Sequence, residues 1–77
     1  MTLSQWIQLV GKVMEAQGFE PDEAHFYDVG IGVQSKFIMG DRRHVNITTK
    51  EMIADAVSGA EGIAWMTVHT AKRHLEK

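Results

Sequence analysis

The histidines are the residues of this chain best suited to bind a metal ion or to transfer a proton near neutral pH. The chain has four: His25, His44, His69 and His74. Two metal ligands on one helix need a spacing of three or four residues, whereas His69 and His74 are five apart. The chain contains no cysteine, which excludes thiolate ligands and disulfides. We therefore expect no metal centre and no cofactor, and we expect structural or solvated histidines.

Catalytic motifs are also missing. No serine lies in the strained strand-to-helix turn that activates a nucleophile. The run Gly30-Ile31-Gly32 lacks the third glycine and the following helix of a dinucleotide-binding fingerprint. These observations predict that the protein is not an enzyme.

Acidic side chains are concentrated in the connector after the first predicted helix. They are Glu20, Asp22, Glu23 and Asp28. Such a cluster forms a solvated face or, alternatively, occupies a basic groove on another protein by imitating the charge and spacing of phosphate groups. The formal net charge of -2 argues against a strong general affinity for nucleic acid, because Lys and Arg supply most of the non-specific binding to phosphates.

The C-terminal part of the chain combines hydroxyl, imidazole and basic side chains. The run from Thr70 to Leu75 resembles the second, groove-reading helix of helix-turn-helix proteins, and residues 49–57 resemble the helix that precedes it. The resemblance implies our alternative hypothesis, a DNA-binding transcriptional regulator with residues 49–76 as its binding half. The residues that would contact nucleic acid are Thr67, His69, Thr70, Lys72 and Arg73.

Helical periodicity surrounds a central segment of alternating residues. Thr2 and Gln5 form a capping box and Gly18 is a natural stop, which predicts a helix at about residues 3–17. Further capping signals predict helices at about 49–58 and 60–76, either separate or joined as one helix kinked at Gly59. Trp65 lies off the apolar stripe of the last helix, which indicates an exposed aromatic side chain.

The segment from Tyr27 to Ile47 alternates apolar and polar residues, as half-buried strands do. It predicts strands at about 26–33, 36–39 and 43–47, joined by three-residue turns. This register puts one apolar set into the core: Tyr27, Val29, Ile31, Val33, Phe37, Met39, Val45 and Ile47. The other face would show Phe26, Asp28, Gly30, Gly32, Ile38 and His44. Its glycines indicate a bulge, a bend or a backbone lying close by, so a partner could bind there.

The elements together predict a small single α+β domain over residues 1–77, with a helix, a three-stranded antiparallel meander and one or two further helices packed on the sheet. This order also resembles that of the double-stranded-RNA-binding domain, although the basic cluster of that family is replaced by Thr48-Thr49-Lys50-Glu51.

The function we expect is that of a non-enzymatic protein-binding module, an inhibitor or adaptor that occludes a larger assembly, including one that handles nucleic acid. Small inhibitors encoded by phages or other mobile elements have a similar profile. The candidate contact residues are Glu20, Asp22, Glu23, Asp28 and Trp65. A homodimer is a further candidate partner, because a core of this size supplies only a few kcal/mol. No apolar run reaches the roughly 20 residues of a membrane span, so we expect a cytoplasmic protein without a membrane partner.

Overall fold

A computed structural model describes residues 1–55 and 59–76 of the chain. The elements, in chain order, are α1 (Leu3–Gln17), β1 (Glu23–Asp28), β2 (Gly32–Met39), β3 (Arg42–Thr49), α2 (Lys50–Asp55) and α3 (Gly59–Leu75). The strands form one antiparallel sheet in the order β1-β2-β3. The helices α1 and α3 pack against one face of it, and this arrangement confirms the predicted α+β fold class.

Helix α1 begins at a complete capping box. The Thr2 hydroxyl accepts the Gln5 backbone N–H at 3.1 Å, and the Gln5 side-chain oxygen accepts the Thr2 N–H at 2.8 Å. The helix ends at Gly18, which has a φ of 66°. Both signals are local in sequence, and the bounds of α1 coincide with the predicted residues 3–17.

Basic side chains from other elements cap the C-termini of α1 and α3. The Lys72 ammonium donates to the carbonyl of Gln17 at 2.8 Å. The Arg42 guanidinium donates to the carbonyls of His74 at 2.6 Å and Leu75 at 3.4 Å. The last carbonyls of a helix have no partner within it, so these contacts satisfy them and join α1 to α3 and α3 to β3.

The predicted helix from 49 to 58 corresponds to α2, where the Thr49 hydroxyl accepts the Met52 N–H at 3.1 Å. The predicted helix from 60 to 76 corresponds to α3. The capping signal at Ser58, and with it the choice between two helices and one kinked helix, lies outside the described residues.

The turn between β2 and β3 has two residues, so the predicted three-residue turn is wrong. Met39 pairs with Arg42, which leaves Gly40 and Asp41 in the turn. Gly40 has a φ of 63°, and Asp41 has no positive φ. A positive φ at the first central position only is the pattern of a type II′ turn, whose twist matches that of the two strands.

The shorter turn reverses the predicted orientation of β3. Phe37 lies opposite His44 instead of Val45. Because successive side chains point to opposite faces, a shift of one residue moves every side chain of the strand to the other face. The prediction was therefore wrong for Val45 and Ile47, which point away from the helices, and for His44, which points toward them.

The turn between β1 and β2 also differs from the prediction. Residues 34–36, predicted as a connection, lie inside β2, and the chain reverses at residues 29–31. The Asp28 carboxylate accepts the Gly30 N–H at 2.9 Å, and Gly30 has a φ of 83°. An aspartate that bonds the backbone two residues on, followed by a residue with positive φ, favours a turn over a continued strand. As a result Phe26 faces the helices and Tyr27 faces away.

The core lies between the inner face of the sheet and the two long helices. Phe37 is fully buried at its centre, with Phe19 and Phe26 packed edge to face at 5.6 and 6.0 Å between ring centroids. The Trp6 indole N–H donates to the Ser35 hydroxyl at 3.1 Å, so the polar atom of this buried aromatic residue has a partner.

Gly32 is buried by a close approach of the backbone of β3. A Cβ at this position would collide with the Thr48 carbonyl oxygen. The covering group is therefore the neighbouring strand and not a partner molecule, which removes Gly32 from the predicted binding face.

Candidate functional site

The face of the sheet that points away from the helices is the candidate site, and we call it the outer face. Its members are Glu23, His25, Tyr27, Gln34, Lys36, Ile38, Arg43, Val45, Ile47 and Thr49. No element among the described residues covers it. Tyr27, Val45 and Ile47 are exposed by 46%, 45% and 48% respectively.

Cross-strand pairing divides the outer face into an apolar end and a basic middle. Tyr27 lies opposite Gln34, and Gln34 lies opposite Ile47. This row adjoins the exposed turn residues Val29 and Ile31. Together they form an apolar end of the kind that often marks an interaction surface.

The next row of the outer face joins His25, Lys36 and Val45. Arg43 precedes Val45 by two residues in β3 and therefore lies on the same face. The His25 ring stacks on the Tyr27 ring at 6.5 Å, and its Nε2 lies 3.3 Å from the Glu23 carboxylate. The outer face thus combines an aromatic pair, aliphatic side chains, two basic residues and the acidic Glu23 on one paired sheet.

The predicted acidic cluster is divided between the two ends of β1. The Asp22 carboxylate accepts the Gly40 N–H at 2.7 Å, beside the β2–β3 turn. Asp28 supports the turn at the opposite end of β1. Glu23 contacts His25, and Glu20 is exposed in the connector. Most of these carboxylates therefore bind groups of their own chain instead of forming one acidic face.

Trp65 is exposed by 43%, as its position off the apolar stripe predicted. Its side chain lies at a groove between α1 and α3. The groove is also lined by Leu9, Lys12, Val13, Ala16 and Glu61. The Gln17 side chain donates to the Trp65 carbonyl at 3.0 Å, which fixes the two helices relative to each other at this point.

The basic run of α3 departs from the helix-turn-helix pattern that it resembles. Helix α3 is continuous from Gly59 to Leu75, so Thr70 lies within it and not at its start. Thr67 is buried, and Lys72 donates to the end of α1. Of the predicted nucleic-acid contacts, His69 and Arg73 are exposed, and they line a shallow pocket at the ends of α1 and α3.

His44 and His74 form a stacked pair near the end of α3. Their ring centroids are 5.0 Å apart with an angle of 10° between the planes. Burial, with a smaller contribution from the charge of His74, lowers the pKa of His44 below its ordinary value. The Nε2 atom of His44 is buried and has no hydrogen-bond partner in the part of the chain that the structure describes.

Residues 1–55 and 59–76 contain no group of three or more potential ligands that could hold a metal ion. Over the same residues, no helix combines the length and the apolar character needed to cross a membrane. Comparisons of the chain with protein-family models, with curated proteins and with solved structures give no significant match.

Proposed function

We propose that this chain is a non-enzymatic protein-binding module, an inhibitor or adaptor that acts by covering a surface of a larger protein with its outer face. The observation that carries the proposal is the exposure of Tyr27 and Ile47 in one cross-strand row, on either side of Gln34, at the apolar end of that face. Large apolar side chains on the open face of a small domain are a source of binding energy, at about 25 cal/mol for each Å² of apolar surface buried.

The sheet also limits the entropic cost of binding. Tyr27 projects from a paired strand, and its ring already stacks on His25. A preorganised aromatic side chain loses little conformational freedom when it is buried, and such residues are common hot spots in protein interfaces. Tyr27 is therefore the anchor of the proposed interface.

Two basic side chains, Lys36 and Arg43, outnumber the acidic Glu23 on the outer face and give it a net positive charge next to its apolar end. A partner that carries acidic side chains around an apolar patch would match this arrangement and would be attracted to it at long range. The acidic residues of the connector remain candidates for steering, and Glu20 is exposed with no described contact to another side chain. Trp65 is the candidate anchor of a second contact on the helical side.

The DNA-binding alternative has less support. It requires Thr67 and Lys72 to contact nucleic acid, whereas one is buried and the other caps α1. DNA binding that is sensitive to salt and is lost in a Lys72→Ala, Arg73→Ala double variant would nevertheless favour it over the protein-binding proposal.

Affinity capture from a lysate of the source organism tests the proposal. The baits are the natural chain, a Tyr27→Ser variant and a Met66→Ser variant, each used with nuclease-treated and untreated lysate. Met66 is exposed on the helical side and provides the matched control. We expect one protein to be retained by the natural chain and by Met66→Ser, with or without nuclease, and its retention to fall at least about tenfold with Tyr27→Ser.

Equal retention by Tyr27→Ser, or loss of the captured protein after nuclease treatment, would contradict the proposal. Circular dichroism of the three baits checks that each is folded before capture.

A further inference from the structure

The far edge of β3 has free backbone hydrogen-bonding groups. β3 is an outer strand of the sheet, and no described segment pairs with its far side. Met39 and Arg42 close a two-residue turn, so this pair exchanges both of its backbone hydrogen bonds, and the pattern alternates from there. Arg43, Val45 and Ile47 therefore direct their N–H and C=O groups away from β2. The bond from Lys50 N–H to the Ile31 carbonyl, 2.9 Å long, fits the same alternation.

The two edges of the sheet differ in their protection. The β1 edge follows Pro21 and has Glu23 and Asp28 at its ends, and both charge and proline discourage edge pairing. The β3 edge has no proline, its charged residues Arg42 and Arg43 lie at one end only, and its register with β2 is continuous from Arg42 to Thr49 without a bulge. Natural proteins rarely leave a long, regular edge of this kind unpaired.

We propose that the β3 edge pairs with the β3 edge of a second copy of this chain, antiparallel about a twofold axis at Val45. The two three-stranded sheets then form one continuous six-stranded sheet. Val45 lies opposite Val45 of the second copy, and Arg43 lies opposite Ile47. The free groups of these residues satisfy each other in about six hydrogen bonds.

Several registers would let the free backbone groups of the two β3 edges face each other. Side-chain charge and the length of the paired segment favour the register with its axis at Val45. An axis at Asn46 would bring Arg42, the first residue of β3, against Lys50, the first residue of α2 in the second copy, and these are like charges. An axis at His44 would shorten the paired segment and leave Ile47 beyond β3 of the second copy. With the axis at Val45, Asp41 in the β2–β3 turn lies nearest to Thr49, the last residue of β3, and to Lys50, the first residue of α2. Both Asp41 and Lys50 are exposed, so opposite charges meet at each end of the pairing.

The second copy is favoured over an unrelated extended peptide because the edge is complementary to itself. The same backbone groups, aliphatic side chains and terminal charges serve both copies of a twofold interface. The inference rests on the proposed function in one respect: the dimer joins two outer faces into one surface and makes protein binding bivalent.

Light scattering coupled to size-exclusion chromatography of the full chain, over a wide range of concentration, tests the proposal. We expect twice the protomer mass for the natural chain and the protomer mass for Val45→Pro. Proline at an edge position whose N–H points outward keeps the bonds between β2 and β3 and removes only the outward donor. Circular dichroism checks that the variant is folded.

Two charge variants test the axis without relying on proline. Val45→Lys and Val45→Glu each put like charges opposite one another at the axis, and each is expected to be monomeric on its own. An equimolar mixture of the two is expected to recover the dimer mass. An Ile38→Ser variant, on the outer face of the central strand, is expected to remain dimeric.

A protomer mass for the natural chain at every concentration would overturn the proposal. A dimer that persists in all Val45 variants, or that is lost in Ile38→Ser, would overturn it as well, because the copies would then associate through another surface. The Tyr27→Ser variant separates this inference from the proposed function. If Tyr27→Ser is dimeric and still retains the captured protein, only the proposed function is contradicted. If the natural chain is monomeric and its captured protein is lost with Tyr27→Ser, only the proposed dimer is contradicted.

Discussion

The two faces of the sheet are formed by alternate residues of the same strands, yet they differ in almost every property. On the inner face Ser35 and Phe37 are fully buried beneath the helices. On the outer face Val45 and Ile47 remain nearly half exposed. Strand register, and not hydrophobicity alone, thus decides which side chains enter the core of this protein.

The two fully buried polar residues of the inner face, Ser35 and Thr48, form hydrogen bonds with other side chains. The Ser35 hydroxyl accepts the Trp6 N–H, and the Thr48 hydroxyl donates to the Asn46 side chain at 3.1 Å. A buried polar group costs little when it is paired in this way. The inner face can therefore include a serine and a threonine while aliphatic side chains remain outside.

Truncation of one large side chain on each face should give the largest difference between them. We expect Phe37→Ala to lower the free energy of unfolding by about 3 to 5 kcal/mol, because it leaves a cavity at the centre of the core. Ile47→Ala, on the outer face, should cost less than about 1 kcal/mol. Urea denaturation of both variants measures the difference, and equal losses would show that the outer face is buried in solution.

The close approach of β3 to Gly32 makes a second test of the register. Gly32→Ala should lower the free energy of unfolding by about 1 to 3 kcal/mol, because the added methyl group forces the Thr48 carbonyl to move. Gly11→Ala, in α1 with no atom near its Cβ position, is the control and should stabilise the protein by about 0.5 to 1 kcal/mol. Thermal unfolding of the two variants measures both effects. A neutral Gly32→Ala would indicate a different pairing of β2 with β3.

Removing the hydroxyl of Ser35 tests the polar contact within the core. Ser35→Ala leaves the buried Trp6 N–H without its acceptor and should cost about 1 to 3 kcal/mol. The neighbouring Gln34→Ala on the outer face should change stability by less than about 0.5 kcal/mol. Chemical denaturation with tryptophan fluorescence as the probe measures both, and similar values for the pair would argue against a buried bond at Ser35.

The smallest expected difference concerns the histidines of the two faces. Because the pKa of His44 is lowered by burial, the unfolded chain binds a proton at this residue more readily than the folded protein does. The resulting stabilisation is present above the ordinary pKa of 6.5 and is lost as the pH falls through the folded value. The charge of His74, whose ring stacks on that of His44, also opposes protonation of His44.

We therefore expect the natural chain to lose more stability on acidification than a His44→Gln variant. His25→Gln, on the outer face, is the control for removing a histidine. Denaturant midpoints measured at a series of pH values give the comparison. Parallel pH profiles for the natural chain and His44→Gln would contradict the assignment.

The structural features that were predicted correctly from the sequence are those that depend on residues close together in the chain. The bounds of α1 follow from Thr2, Gln5 and Gly18, which are close together in the chain. The alternating segment correctly indicated three antiparallel strands. The exposure of Trp65 followed from its position relative to the apolar stripe of its helix.

The candidate site could not be predicted because it depends on two turns. Alternation within a strand does not say which of two turn lengths joins it to the next, and the two lengths give opposite faces. The signals were present: Asp28 and Gly30 favour a turn, and glycine at the first position of Gly40-Asp41 favours a two-residue hairpin. Without the positions of the helices, the apolar side chains of Val45 and Ile47 favoured the wrong choice.

The caps that join the helices have a consequence for the order of folding. Lys72, near the end of α3, donates a hydrogen bond to the carbonyl of Gln17 in the last turn of α1. Lys72 and Gln17 are 55 positions apart in the chain. The core between the helices also requires both α1 and α3. On the ribosome, α1 and the sheet therefore emerge before the segment that completes them, and cooperative folding must wait for α3. Until then the inner face of the sheet lacks the cover that α3 gives it in the folded protein.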